Sequence, residues 1–383
     1  MGMLRVIRDL INFIYVFAIV NDNFIVNIFG ETSLKALFAV FFVANIATMA
    51  RFNLKLRSSR SFLALIIIFF LSYLLNFGNY ENLQQPLFSI LSVLAIFLTA
   101  SLSGHPQRLM KFFLVSVVFS SLLCITTDAT ISEYTFRKTG GTGDPNEFSL
   151  MTLAAVGYLA ANLRIKASLV KRLAKIMALI ICLVAMFMAG SKSAMLTMVI
   201  VFLAYYLLLV RKRSIARKVK NTIAFFILFT LLCVVLWRYY NEIILNVLAR
   251  FEDNSSAGER LLSWKAGLEL WMTDPFLGVG PQNYVHMIAE RFPYIAESSR
   301  AAHNMYIQSL VEIGLIGFIA FASFLYSPIR NSFRMRLPME YILGFVSILV
   351  MGMTLSTFYE KYVWLYFGLM CNPYLMCSDY RKR

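Results

Sequence analysis

Charge is scarce in this sequence. Of 383 residues only 15% are Asp, Glu, Lys or Arg, and histidine occurs three times. Soluble globular domains carry about 25% charged residues, so this chain lacks the polar surface of an ordinary soluble enzyme. Cysteine is also sparse: Cys124, Cys182, Cys233, Cys371 and Cys377 all sit in apolar stretches. Thiols there act as small hydrophobes, which excludes a disulfide framework. No His, Asp or Glu cluster with metal-ligand spacing occurs outside the apolar runs, so metal-independent chemistry with no cofactor is expected. The first apolar run is followed by Asn21-Asp22-Asn23 and has no small-residue cleavage site, so no cleavable signal peptide is expected.

Hydrophobicity is what the chain has instead. Its hydrophobic fraction is 59% and its mean hydropathy +0.69, which reads as an all-α polytopic membrane protein. Crossing about 30 Å of hydrocarbon takes roughly 17–25 apolar residues, and runs of that length predict twelve transmembrane helices. They fall at about 4–20, 33–50, 61–78, 84–103, 109–127, 146–163, 174–190, 194–210, 219–238, 303–326, 338–358 and 361–378. The expected organisation is a bundle of about nine helices over 1–238, a large loop on the outer side over 239–302 and about three helices over 303–383.

The formal charge of +16 does not signal nucleic acid. The basic residues come in short clusters between apolar runs, as in 164–175 and 211–220, and most of the 36 lysines and arginines fall on one side of a twelve-span topology. That is the positive-inside pattern, and it predicts both termini in the cytoplasm. The lipid bilayer is therefore an expected partner.

The 239–302 loop on the opposite side is too long for a connector. Ser256-x-x-Glu259 reads as a capping box that starts a helix running to Thr273, where Asp274-Pro275 stops it. On that helix Arg260, Trp264, Gly267 and Trp271 share one face. Such a face suits a phosphate or sugar ligand, or else anchors the helix at the membrane interface. Pro275 to Pro281, with Gly278 and Gly280, reads as a tight reversal before a second helix over about 282–291. Arg300 precedes the next span.

Three further places carry polar groups at helix ends. Arg137 to Glu147 is a basic, glycine-rich loop in which Asp144 or Asn146 caps the next helix. It reads either as an anion site or as a turn with an ordinary cap. Lys192, in the tight turn Gly190-Ser-Lys-Ser193, either faces the bundle interior or snorkels to the interface. His303 opens the tenth span, where the helix dipole keeps its imidazole neutral and suited to a general base; the alternative is a plain boundary residue. Glu312, Gly314 and Gly317 lie deeper on that helix, and the glycines read as close-packing positions.

Gly190-Ser-Lys-Ser193, Arg260-x-x-x-Trp264, Pro275-x-x-Gly278-Val-Gly280, and His303-Asn304 with Glu312-x-Gly314-x-x-Gly317 resemble, in order and spacing, the signature of the O-antigen polymerase and O-antigen ligase superfamily. Asp144-Pro145-Asn146 looks like a further element of it. The resemblance implies a GT-C-type inverting glycosyltransferase of the bacterial inner membrane, with a periplasmic active site. The implied donor is an undecaprenyl-diphosphate-linked oligosaccharide or polysaccharide, and the acceptor a glycan or lipid A core. Carried over, Arg260 and His303 would be catalytic, and Lys192, Arg137, Arg300, Trp264 and Asn304 would bind the diphosphate or glycan. Lys192 stands where many members have arginine, which keeps the charge and loses the bidentate fork.

Polymerisation of repeat units, with a chain-length regulator protein as partner, is favoured by analogy from Asp144-Pro-Asn146 and His303-Asn-Met-Tyr306. Ligation of polysaccharide to lipid A core is the alternative. A lipid-linked sugar transporter fits less well, because the apolar runs hold few ionisable groups apart from Glu312 and no inverted repeat is evident.

Overall fold

The computed structural model describes residues 2–52, 57–127, 137–210, 255–297, 300–334 and 337–376. The expected span 219–238, the loop entrance 239–254 and the side chain of the capping-box Ser256 lie outside the described residues. All elements are helical, with no strand among the described residues. In chain order they are α1 (Gly2–Val20), α2 (Asp22–Phe29), α3 (Thr32–Met49), α4 (Arg57–Leu75), α5 (Gln84–Leu102), α6 (Pro106–Thr126), α7 (Pro145–Asn162) and α8 (Leu169–Ala189). Then come α9 (Lys192–Val210), α10 (Ser255–Trp271), α11 (Tyr284–Arg291), α12 (Met305–Phe333), α13 (Met339–Met351), α14 (Lys361–Cys371) and the single turn α15 (Pro373–Met376).

Among the described residues six helices are long and apolar enough to cross a membrane: α3, α4 from Ser58, α5, α6, α8 and α12. Residues 194–207 and 339–351 fall in shorter apolar helices. Two expected spans are apolar for a different reason. In α7 every residue from Phe148 to Leu159 is buried by protein, and in α14 every residue from Tyr362 to Cys371 is buried. The last expected span, 361–378, is only the 11-residue α14, about 16 Å long at 1.5 Å per residue. Asn372 ends it in an extended conformation, as a residue before proline prefers, and its amide donates to the carbonyls of Ala100 and Ser103 at 2.8 and 2.9 Å.

The chain divides into two compact units. One comprises 1–116, 256–338 and 348–383, and the other 117–255 and 339–347. In the first, α12 packs on α4 and α14 on α5. Ser61 and Ser323 hydroxyls meet at 3.2 Å near one end, and Ser72 donates to the Glu312 carbonyl at 3.0 Å near the other, so α4 and α12 are antiparallel. The core between them is aromatic: Phe62 lies 3.8 Å from Phe97 by ring centroids, and Phe324 stacks on Trp364 at 5.6 Å. The Trp364 indole N–H is satisfied by the Phe358 carbonyl at 2.6 Å, as burial of that group requires. In the second unit α7 packs against α8 and α9, and Gly157 lets its helix approach the Leu343 backbone.

Candidate active site

Within the first unit, α10, α11 and the segments around them form a small packed body. Ala266, Leu270, Val279, Tyr284, Ile288, Ile295 and Ala302 share its core, with Trp271, Phe292 and Ile307 packed at its edge. The helix expected from Ser256 to Thr273 is α10, ending at Trp271; the second is α11, beginning at Tyr284. The face of Arg260, Trp264, Gly267 and Trp271 is not an open cleft along its length. Tyr284 lies directly over Gly267, so close that a Cβ there would collide with the phenol. Its hydroxyl donates to the Ser263 carbonyl at 2.7 Å. The Trp271 indole donates to the Pro275 carbonyl at 3.0 Å.

That packing leads to His303. Ser263 Oγ donates to the Ala301 carbonyl at 2.9 Å, and Trp264 Nε1 to the Ala302 carbonyl at 2.7 Å. Two consecutive residues of α10 thus hold the two residues before His303, and Arg260 lies one turn back on the same helix. His303 and Gln282 have positive φ without being glycine, at 43° and 60°. A side chain in that region costs about 1 kcal/mol or more and persists where its surroundings impose it. Here the His303 N–H donates to Ser356 Oγ at 2.8 Å, and the Met305 N–H to the Gly352 carbonyl at 2.7 Å. The His303 ring is half-buried, as are Arg260, Trp264 and Arg300. Asn304 caps α12, its Oδ1 accepting from the N–H groups of Tyr306 and Ile307 at 2.9 and 3.1 Å. Arg300 Nε donates to the Ile295 carbonyl at 3.3 Å.

The deeper part of α12 adds to the close-packing reading of Gly314, where the Phe276 backbone lies in the place of a Cβ. The helix is broken there, at φ 65° and ψ −175°. A break within a membrane-spanning helix leaves backbone groups that must find partners in protein. The reversal 275–280 supplies them: Val279 and Gly280 donate to the carbonyls of Val311 and Glu312 at 3.0 Å each, while Leu315 and Ile316 donate to Pro275 and Phe276 at 2.8 and 3.2 Å. The Glu312 carboxylate accepts from the Tyr284 N–H at 3.4 Å and from Gln308 at 3.3 Å. Glu312 is 1% exposed, so it joins loop and helix inside the protein rather than facing solvent. Sequence reasoning missed Tyr284, Ser263, Ser356 and this role of Glu312. The available signal was the lone acid beside a glycine in an apolar helix, opposite a second glycine pair in the loop.

Arg137 and Lys192 belong to the other unit. Asp144 caps α7, accepting from the N–H groups of Asn146 and Glu147 at 2.6 and 2.9 Å. The capping carboxylate occupies the helix terminus that an anion would otherwise use. Asn146 Oδ1 instead accepts from Arg137 at 3.1 Å and from Ser191 Oγ at 2.9 Å. Arg137 Nε donates to the Ala189 carbonyl at 2.7 Å. This buried arginine and the Asn146 amide therefore tie the glycine-rich loop to the α8–α9 turn. Gly190, left-handed at φ 58°, ends α8, and half-buried Lys192 begins α9.

Comparison with known proteins gives two matches. Residues 177–322 match the O-Antigen ligase family, Wzy_C. The chain is also 28% identical over 338 residues to a ComP-specific O-oligosaccharyltransferase of Acinetobacter baylyi. The aligned region is 79% of this chain and 60% of that relative, so the chain spans less than two thirds of the relative's length.

Proposed function

We propose, from the match of residues 177–322 to the O-antigen ligase family, that the chain transfers a glycan from undecaprenyl diphosphate to an acceptor hydroxyl at the periplasmic face of the bacterial inner membrane. The observation carrying this reading is the connection of α10 to His303. One helix presents a cation at Arg260 and, one turn later, fixes the backbone beside His303 through Trp264. In the proposed reaction the C1–O bond to the diphosphate breaks as the acceptor oxygen bonds to C1 from the opposite side. The acceptor proton passes to the His303 imidazole, and undecaprenyl diphosphate departs with the bonding electrons. Arg260, with Arg300 beside the same segment, offsets the charge developing on the leaving group. Lys192 is proposed as a further phosphate ligand. Arg137, Trp264 and Asn304 are proposed as positioning residues, because each is hydrogen-bonded to the backbone or side chain it holds in place.

For the acceptor, ligase-type transfer to lipid A core or another non-repeat hydroxyl is the better-supported reading. The matched family is described as O-antigen ligase and the relative as an oligosaccharyltransferase. The analogy for polymerisation rested on Asp144-Pro-Asn146 and His303-Asn304. Asp144 and Asn304 both serve as helix caps, a role independent of acceptor identity. Deleting the gene decides the matter. Under ligation the lipid A core carries no polymer while polymer accumulates on the donor lipid; under polymerisation it carries a single repeat unit. Unchanged surface glycan overturns both.

A further inference from the structure

A second polar site lies at the opposite end of the first unit. α14 starts beside Tyr359, whose hydroxyl accepts from the Gln282 N–H at 3.2 Å near the candidate active site. It ends at Asn372, bonded to the last turn of α5. At that far end a cavity of about 140 Å³ opens between the start of α1, the end of α3, the end of α5 and the start of α6.

Its mouth carries Arg5, Arg8, Arg51 and Arg108. Asp9 is the acid among the described lining residues, and it pairs with Arg108. Three further guanidinium groups therefore leave the mouth strongly positive. The floor is polar although it lies among apolar helices. Asn12 and Asn45 are buried there and joined by a 2.7 Å side-chain hydrogen bond. Thr99, 1% exposed, lines the same cavity, and its hydroxyl has no hydrogen-bond partner among the described residues.

Buried hydroxyls are nearly always satisfied, and an orphan in a roomy polar cavity points to a missing partner. Guanidinium groups at the rim match phosphate oxygens, and basic pockets between membrane helices hold lipid head groups. We propose that this cavity binds a phosphate-bearing anion, its phosphate held by Arg8 and Arg51 and a polar substituent reaching Thr99. A phospholipid head group and a free phosphate share this chemistry. His105 at the rim reports the field: partial burial and then Arg5 and Arg108 hold its imidazole below the usual histidine range, with Arg8 adding to them and Asp9 opposing.

The test uses the full-length protein in phosphatidylcholine nanodiscs. Phosphatidylglycerol in the disc, or inorganic phosphate in the buffer, is varied while thermal stability and the His105 titration are followed. With only three histidines, a His105→Gln control assigns the signal. Binding raises both the unfolding temperature and the His105 pKa. Response to phosphatidylglycerol alone identifies a lipid head group, and response to phosphate identifies a soluble anion. Arg8→Gln with Arg51→Gln weakens either response by roughly tenfold or more. Thr99→Val, which keeps the shape of a buried residue, weakens it less. Transfer activity is retained in all of these variants under saturating donor. No response to either probe, or an equal response in the arginine variant, overturns the proposal.

Discussion

The indole of Trp264 donates to the carbonyl of Ala302 at 2.7 Å, fixing the backbone of the residue before His303 from a helix that also bears Arg260. In Trp264→Phe the ring still packs but the bond is lost, at a stability cost of about 1 kcal/mol. Catalytic geometry is less forgiving, and turnover should fall by roughly 10- to 100-fold. Glycan transfer by purified protein, set against its melting temperature, checks this. Wild-type turnover would leave Trp264 as packing alone.

Arg260 and His303 should fail differently. Arg260→Ala should slow transfer by roughly 10²–10³ and weaken donor binding, because it acts on the diphosphate. His303→Gly should slow it by roughly 10²–10⁴ with donor affinity unchanged. Since His303 holds φ at 43°, glycine relieves about 1 kcal/mol of strain, so this variant should melt no lower than wild type. Donor-binding isotherms and melting curves separate the two. A His303→Gly protein of full activity ends the general-base reading.

Gly314→Ala should be severe. The position has φ 65°, and a Cβ there would collide with the Phe276 carbonyl group. Conformational strain alone is about 1–3 kcal/mol, and displacing 275–280 also breaks the bonds that close the helix gap. Reduced yield and a lower melting temperature are expected, while Gly258→Ala, at an open position on α10, should be near neutral.

Alkaline pH should loosen the loop before the membrane helices. Burial pushes the Tyr284 phenol up to about 12, with the Ser263 hydroxyl 3.2 Å away opposing and Glu312 adding. The unfolded value is about 10, so the folded state holds the proton more tightly. Stability from this group is full below pH 10 and is lost as pH rises from about 10 to about 12, by about 2–3 kcal/mol. Tyr284→Phe should flatten that part of the profile while lowering stability at neutral pH through loss of the 2.7 Å bond to Ser263. Proteolysis of the 255–297 segment against pH measures it; a flat wild-type profile contradicts the assignment.

Lys192 offers a point charge in place of a fork. If it holds donor phosphate, Lys192→Arg should keep most transfer activity and Lys192→Ala should lose about tenfold or more. Equal turnover for alanine and wild type would make it a boundary residue.

The sequence by itself determined what its local chemistry could enforce. Apolar run length predicted the positions of the long helices, and Asp274-Pro275 stopped α10 within a few residues of Trp271. Asp144 sits where a cap residue belongs, because a side-chain acceptor two residues before an open N–H is a local geometry; the cap at Asn304 was not read from the sequence. Run length could not tell lipid contact from protein contact. α7 and α14 read as spans because both environments demand apolar side chains, and only packing shows them enclosed by protein.

The tertiary structure alone decided the rest. Gly314 is a helix break as well as a close-packing position because residues 275–280, far away in sequence, press against it and supply partners for the freed backbone groups. Gly267 became the seat of Tyr284 rather than part of a ligand cleft. The link between Arg260 and His303 runs through Trp264 and a main-chain carbonyl. A carbonyl acceptor is offered by every residue, so no pattern of side chains could have revealed which one the indole would find.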